Sequence, residues 1–322
     1  MASGFPYETA TYEDVPCNLC GSTSTSLLAG RDRNGLAART VICRTCGLMF
    51  LNPRMTKPWY ARYYEHEYRL QMARFRGRRE EVADFDALFS DAERKGRILA
   101  AHLRDGLAPG FTVEVGSGVG GTLFAFKSAL GLPILGIEPS AAEASYAASR
   151  GIPTHASLFE DFREPIPMAA NIMSLRNLNH LLDPRAFFAW AWERLAPNGR
   201  IILMVQDFRL LAKKMGSIER AAQIDHTYMF VPEVLAEFVG AAGFDTVRFE
   251  THERTPFRNL LRPETSELAG GRMLLVAAKT DRRPFPDGMR ITPNYRRVSA
   301  SLAPFRLALS SSYYRLLRRL LV

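Results

Sequence analysis

From Thr112 onwards, short apolar runs of strand length alternate with stretches whose apolar residues recur every three or four positions, the period of a helix. The runs predict strands at Thr112–Gly116, Ile134–Glu138, Ile152–His155, Asn171–Arg176, Arg200–Asp207, Phe244–His252 and Met273–Lys279. Helical spacing falls on Val119–Leu130, Ala141–Arg150, Pro184–Leu195 and Pro232–Ala242. Such alternation predicts a mostly parallel sheet covered by helices. The last two strands are joined by the loop Glu253–Gly271 alone, which permits an antiparallel return. Upstream, Lys57 to Asp105 carries charged and aromatic residues at helical spacing with no proline after Pro58, so two or three helices are expected before Pro109-Gly110 breaks the run. Thr40–Ile42 and Gly47–Leu51 read as short strands ending at Asn52-Pro53.

This pattern divides the chain into an N-terminal module over residues 1–55, a helical connector or lid over 56–108, a sheet domain over 109–281 and a basic tail over 282–322. The 322 residues are 47% hydrophobic and 23% charged, ordinary for globular protein. No apolar run reaches the ~18 residues of a membrane span, and Met1 to Asp14 lacks the basic start and apolar stretch of a signal peptide, so a cytoplasmic protein is expected. The formal charge is +9, but nine arginines from Arg282 to Arg319 concentrate the excess in the tail. Within it, Leu307–Val322 mixes Leu, Tyr and Arg in a way compatible with a basic amphipathic helix. Such a helix could lie on an anionic membrane surface, or dock on its own domain or on a homodimer partner.

The four cysteines form two pairs, Cys17-Asn18-Leu19-Cys20-Gly21 and Cys43-Arg44-Thr45-Cys46-Gly47. Each C-x-x-C-G can close a knuckle with both thiolates facing one ion, the glycine taking the positive φ of the turn. Two knuckles supply the four-sulfur set that zinc prefers, with no open position, so a structural ion is expected; iron, two disulfides or idle thiols are the alternatives. The 22 residues between the pairs call for a long hairpin.

Thr112-Val113-Glu114-Val115-Gly116-Ser117-Gly118-Val119-Gly120-Gly121 runs a strand into a glycine-rich turn and then a helix. Glycines let the backbone pass close to a ligand, and free amides at the helix start favour its carboxylate or phosphate. Gly116, Gly118 and Gly121 also satisfy G-x-G-x-x-G, so spacing alone leaves a dinucleotide open. Glu114 near the cleft suits a cationic sulfonium better than a pyrophosphate. Glu138 ends the second strand, where an acid accepts the ribose hydroxyls of either cofactor. The chain then lacks the second nucleotide-binding half expected of a dehydrogenase.

On these residues the main domain resembles the class I S-adenosylmethionine (SAM)-dependent methyltransferases. The whole chain, from about Cys17 to Lys279, resembles those members that carry an N-terminal C-x-x-C…C-x-x-C-G module and an aromatic connector. These include sugar C-methyltransferases of deoxysugar pathways and methyltransferases of surface-polysaccharide clusters. The resemblance implies a Rossmann-like, seven-stranded α/β sheet beside a zinc ribbon, with SAM as cofactor. It places Glu114, Gly116, Gly118 and Gly120, with Ser117 in the same turn, around the methionine part and Glu138 at the ribose. Asn177–Pro184 is similar to the family's E-H-x-x-D-P turn, which brings Asn177 and His180 to the cofactor cleft; Asn179 stands where the family has glutamate.

Transfer to carbon or a hydroxyl needs an aligned acceptor and a base. Gln223–Phe230 falls in the segment that roofs the active site of class I enzymes, and the sugar C-methyltransferases carry an acid-His pair there. Asp225-His226 matches that pair, with aspartate for glutamate. The resemblance therefore implies His226 as general base with Asp225 orienting it, the bland alternative being a packed loop histidine. His180 is the second candidate, although Leu178, Leu181 and Leu182 around it favour a structural or cofactor-cleft role. Gln206 and Asp207, at the carboxyl end of the fifth strand, either touch the acceptor or simply end the strand. Tyr60, Tyr63, Tyr64 and Tyr68 match the family's connector and either cover the substrate or pack on the next layer. A small, sugar-containing acceptor is expected, nucleotide-linked or a polysaccharide or natural-product precursor. An RNA or tRNA methyltransferase competes, but Cys17 to Pro53 has only Arg31, Arg33, Arg39 and Arg44 as basic residues, so nucleic acid is not the expected partner. A non-catalytic SAM-binding or ribbon interaction module is the third reading.

Overall fold

The computed structural model describes residues 5–75, 84–252 and 271–306; the tail helix expected at Leu307–Val322 and all but the last residue of the loop Glu253–Gly271 lie outside them. Five short strands build the N-terminal module: β1 (Tyr12–Glu13), β2 (Thr25–Arg31), β3 (Ala37–Cys43), β4 (Met49–Leu51) and β5 (Arg54–Met55). β2, β3 and β4 form an antiparallel meander, and β5 returns to pair with β1. The two strands expected around the second knuckle are part of β3 and β4. β2 was not anticipated, because it is largely exposed and carries no alternation deep enough to read.

Three described helices make the connector: α1 (Lys57–His66), α2 (Tyr68–Phe75) and α3 (Phe85–Leu103). Pro58 sits in the first turn of α1, where its missing N–H costs nothing, and the Asp84 side chain caps α3 by accepting from Ala87 N at 2.9 Å. α3 leads to β6 (Thr112–Val115), α4 (Gly121–Leu130), β7 (Ile134–Glu138), α5 (Ala141–Ser149), β8 (Thr154–Ala156) and β9 (Ala169–Leu175). Then come α6 (Pro184–Arg194), β10 (Leu195–Gln206), α7 (Phe208–Met215), α8 (Ile218–Ala221), β11 (Tyr228–Met229), α9 (Pro232–Ala241), β12 (Phe244–His252), β13 (Arg272–Lys279) and α10 (Tyr295–Leu302).

The expected seven-stranded sheet is present, in the order β12-β13-β10-β9-β6-β7-β8, with β13 antiparallel to both its neighbours. Every residue of β6, β7 and β9 is buried, which is why these strands read as unbroken apolar runs. β10 starts at Leu195, earlier than expected, but its register with β9 shifts between Leu195 and Arg200, where Asn198 takes a positive φ of 62°. The fold class is thus the Rossmann-like α/β one that the motifs implied.

The N-terminal module does not close on itself. β11 pairs antiparallel with β4, Tyr228 opposite Phe50 and Met229 opposite Met49, so the ribbon's sheet is completed by a strand from the other end of the chain. Two residues are too few for a period, and nothing in the sequence announces the pairing. The junction is tied further by Leu51 N donating to Thr227 O at 3.0 Å and Arg54 Nη1 to Leu182 O at 2.6 Å. Asn18, inside the first knuckle, donates to Asp183 Oδ1 at 2.9 Å and accepts from Arg185 N at 2.8 Å, joining the cap of α6. The start of the basic tail is docked as well, since a Cβ on Gly47 would lie 3.0 Å from Val298 Cγ2 of α10.

Phe50 is fully buried with its ring centroid 6.1 Å from that of Tyr228. Replacing it with alanine is expected to cost about 3–5 kcal/mol. Calorimetry should show one melting transition moving as a whole; two transitions, with only a small one displaced, would contradict the shared sheet.

Candidate active site

β6 delivers the glycine turn to the carboxyl edge of the sheet. Gly116, Gly118 and Gly120 have φ of 77°, 56° and 80°, the left-handed region that glycine enters without strain. Their duties differ. The space above Gly116 is taken by the Asn177 side chain, and Gly118 lies beneath Glu143 and Arg69. A Cβ on Gly120 would meet Ala147 at 2.9 Å and Ile152 at 3.3 Å, so this glycine, expected to touch the cofactor, serves packing against α5. Gly121 admits the close approach of Phe89 O from α3, which accounts for the third glycine of the apparent dinucleotide pattern. Ser117 turns its buried hydroxyl toward Gly136, where it has no hydrogen-bond partner.

A cavity of about 120 Å³ opens beside this turn. Its walls are Gly116, Gly118, Glu138 to Ser140, Ser157 to Glu160, Arg176, Asn177 and His180, with Tyr60, Tyr64, Tyr68 and Arg69 contributed by the connector. Glu138 accepts from Gly118 N at 2.8 Å and Ser140 N at 2.9 Å, one bond per carboxylate oxygen, leaving further lone pairs for hydroxyls. Burial, then the nearby Glu143, pushes its carboxyl up to about 7. Glu114 lies beneath the turn, 3% exposed, with Oε2 sealed from water and without a hydrogen bond. Burial pushes Glu114 up to about 8, against the pull of Arg176. A buried acid of this kind, next to a glycine cradle and a second acid, fits a ligand that combines a positive centre with a ribose. The chemistry of the donor set therefore agrees with SAM, whose sulfonium supplies an electrophilic methyl group.

Next to the cavity, His180 of the turn after β9 and Asp225 and His226 of the segment after α8 come together, with one ligand atom of each within 4.8 Å of the others. The two imidazoles meet edge to face at 4.8 Å. Asp225 was expected to orient His226; instead its carboxylate is nearest His180, with Oδ2 3.5 Å from Nδ1, and His180 also lies 3.0 Å from Asp225 O and 3.3 Å from the Tyr64 hydroxyl. His226 Nδ1 is held by the Gln223 side-chain amide at 3.1 Å. The reason is local: consecutive residues of an irregular segment point different ways, and the backbone that sends His226 to Gln223 turns Asp225 inward. Asp225 is 1% exposed and neither carboxylate oxygen has a hydrogen bond. Burial lowers both histidines, His226 well below the ordinary value, with His180 and then Arg33 adding to the effect on His226, so both rings are neutral at pH 7.

Arg33 was not singled out by the sequence. It is carried by the β2–β3 hairpin of the ribbon, whose Arg33 N donates to Ala222 O at 3.0 Å and whose Asp32 carboxylate accepts from Ile224 N at 3.3 Å. Arg69 and Glu143 were also missed, and so was the loop 157–160. Of the connector tyrosines, Tyr60 and Tyr63 are fully buried, their hydroxyls bonded to Ile224 O at 2.9 Å and Gln71 Oε1 at 2.5 Å, whereas Tyr64 and Tyr68 face His180. Asp207 caps α7 by accepting from Arg209 N and Leu210 N, which is the structural role weighed for it; the Gln206 amide bonds Gly271 O.

The four cysteines are free and converge: Cys17 Sγ lies 3.4 Å from Cys46 Sγ and Cys20 Sγ 3.5 Å from Cys43 Sγ, all within 4.8 Å of one another. A tetrahedron with metal–sulfur bonds of about 2.3 Å has edges of about 3.8 Å. Gly21 N and Gly47 N donate back to Cys17 O and Cys43 O at positive φ, the knuckle geometry expected of them.

A carboxyl raised in the folded state favours folding at pH below its unfolded value, and the benefit fades as pH climbs toward the folded value. For Glu114 that window runs from about 4.5 to about 8. Glu114→Gln should leave thermal stability near pH 5 almost unchanged and raise it at pH 8–9, as read by melting curves across pH; equal shifts at both pH values would rule out the buried charge.

Residues 60–248 match the methyltransferase-domain family. No curated protein matches the chain. Among solved structures it is similar to a SAM-dependent methyltransferase from Mesorhizobium loti, at 17% identity over 56% of this chain and 96% of that one, with a TM-score of 0.46. A methyltransferase of the same kind from Listeria monocytogenes is 15% identical over 57% and 99%, with a TM-score of 0.45. A geranyl diphosphate C-methyltransferase from Streptomyces coelicolor A3(2) is 14% identical over 56% and 78%, with a TM-score of 0.44. With the family match spanning more than half of the chain, over the glycine turn, both acids and the histidine pair, this protein belongs to the methyltransferase-domain family and is a SAM-dependent methyltransferase.

Proposed function

We propose that the enzyme methylates a small, sugar-containing acceptor, with His226 as general base and the four cysteines holding a structural zinc ion. The observation that carries the proposal is the meeting of Asp225 and His226 with His180, which lines the cofactor cavity. An acceptor on the His180 side of the cavity, where the connector tyrosines close, would have the neutral His226 ring next to it, 4.8 Å from the centre of the His180 ring. The Gln223 amide nitrogen lies 3.1 Å from His226 Nδ1; for His226 to accept a proton at Nε2 its Nδ1 must carry the hydrogen, so the amide must turn to present its oxygen to the ring. Asp225 acts through His180, keeping that ring fixed beside His226. Gly116, Gly118, Glu114, Asn177 and His180 would surround the methionine part of the cofactor, and Glu138 the ribose. The sugar assignment rests on the likeness of the cysteine module, the connector and the Asp225-His226 pair to the sugar C-methyltransferases. In the described part of the ribbon, the Arg33 guanidinium is turned inward to Met72 Sδ and the field of Asp225, Arg31 bonds Gly35 O and Arg44 bonds Ser26, which disfavours a nucleic-acid surface. Among the described residues no helix is long and apolar enough to cross a membrane.

Calorimetry with S-adenosylhomocysteine, followed by a nucleotide-sugar panel screened for uptake of labelled methyl, tests the reading; uptake by RNA but by no sugar would replace it. On the accepted sugar, His226→Gln should lower kcat by about 10²–10⁴-fold with cofactor affinity unchanged. Because burial depresses His226, the acid limb of the wild-type profile should fall below pH 6.5. An undiminished kcat in the variant would remove His226 from the base role.

Purified protein should contain one zinc per chain. Cys43→Ser, or exhaustive chelation, should lower the melting temperature of the whole chain through the shared sheet. Metal-free protein with an unchanged melting curve would refute the zinc site.

A further inference from the structure

Glu143 stands in the first turn of α5, within the cofactor cavity's wall, and its side chain is only 4% exposed. Nothing on its own element neutralises it. The cation comes from the connector: Arg69 of α2 meets Glu143 with two parallel hydrogen bonds, Nε to Oε1 at 2.6 Å and Nη2 to Oε2, while its guanidinium lies 5.3 Å from the centre of the Tyr68 ring. The fork-to-fork pairing fixes the angle of the guanidinium as well as its charge. The pair lies directly against the glycine turn, at ordinary contact distance from Gly118, where a Cβ would sit 3.4 Å from Glu143 Oε2 and 3.9 Å from Arg69 Nη2. One ion pair therefore spans the connector, the helix after the ribose acid and the glycine turn.

We propose that Arg69 is a cofactor-positioning residue: by clamping Glu143 it holds α2 across the mouth of the SAM pocket and places a guanidinium on the wall that also carries Glu138, the acid that would receive the ribose. The inference rests on the SAM-binding reading of Glu138 and goes beyond it by assigning a role to a residue outside the sheet domain. Among the described residues, Glu143 on α5, Glu114 on β6, and Arg69 and Tyr68 on α2 act on Glu138; Arg69 is the cation that acts on it, while Arg176 on the same cavity wall acts on Glu114. Glu138 already sits near 7 with Arg69 in place. Without it, two buried acids face each other unscreened, and Glu138 takes up a proton at higher pH.

The test is calorimetric titration of the full-length protein with S-adenosylhomocysteine from pH 6 to 9, for wild type, Arg69→Met and Arg69→Lys, with circular dichroism verifying the fold. Arg69→Met should weaken binding at pH 7 by about tenfold or more, equivalent to about 1.4 kcal/mol. The loss of affinity on acidification should begin at higher pH in this variant than in wild type, and Arg69→Lys should restore much of the affinity and the profile. Unchanged affinity and pH profile in Arg69→Met would overturn the proposal, as would tighter binding, which would make the pair an obstacle to the cofactor. If Arg69→Met fails to fold, Arg69→Lys against Glu143→Gln carries the same comparison, and equal profiles for both again overturn it. Failure of wild type to bind the ligand would instead strike the SAM reading itself.

Discussion

Carboxylates withdrawn from water organise this molecule. Glu114, Glu138, Glu143 and Asp225 are each less than a tenth exposed, and an ion so placed is costly unless it is paired or hydrogen-bonded. Each is treated differently. Glu138 is held by two backbone amides and Glu143 by an arginine fork, whereas Asp225 lies beside the His180 ring with neither oxygen hydrogen-bonded and Glu114 has only the field of Arg176. The compensation comes from separate parts of the chain, so the site exists only when those parts have docked. What remains at the glycine turn is a pair of acids held near the point of ionisation, and a cationic cofactor is the complement that draws them into the charged form.

The ribbon is one of those docked parts, and its contribution to the site is mechanical. Asp32 folds the hairpin onto itself by accepting from Asn34 N at 2.8 Å and Leu36 N at 3.0 Å, then reaches Ile224 N on the segment that carries Asp225 and His226. Tyr60 of α1 bonds the carbonyl of the same Ile224 from the connector side. A loop that would otherwise be free to rearrange is thus gripped at one residue from two directions. The four sulfurs gather where Cys43 ends β3, at the opposite end of the hairpin from Asp32, placed to hold its base together.

Much of this could be read from the sequence, and the failures share a cause. The sheet was legible because its strands are buried on both faces and separated by amphipathic helices, so period and composition agree at every step. The cysteine knuckles and the glycine turn were legible because each is a local pattern whose geometry is set within about ten residues. What could not be read depends on contacts between distant segments. β11 is two residues long and gains its identity from β4; Arg69 is an ordinary helix-surface arginine until Glu143 is known to lie opposite; Arg33 looks like hairpin solvation. The Asp225-His226 adjacency misled for the same reason, because neighbours in sequence diverge in an irregular segment, while His180 is brought to Asp225 from 45 positions away. Gly120 and Gly121 show the converse, where a cofactor-like pattern partly records helix packing.

The borrowing of β11 by the ribbon also sets an order of events during synthesis. Met49 and Phe50 leave the ribosome long before Tyr228 and Met229, and at about 5–20 residues per second the gap is about 10–40 s. Throughout that interval the edge of β4 faces the cellular milieu with its backbone groups unpaired, the condition that invites strands of other chains. An early-bound ion in the knuckles would hold the nascent meander in shape until its last strand is translated, so the benefit of the cysteine cluster falls heavily on the half-made chain.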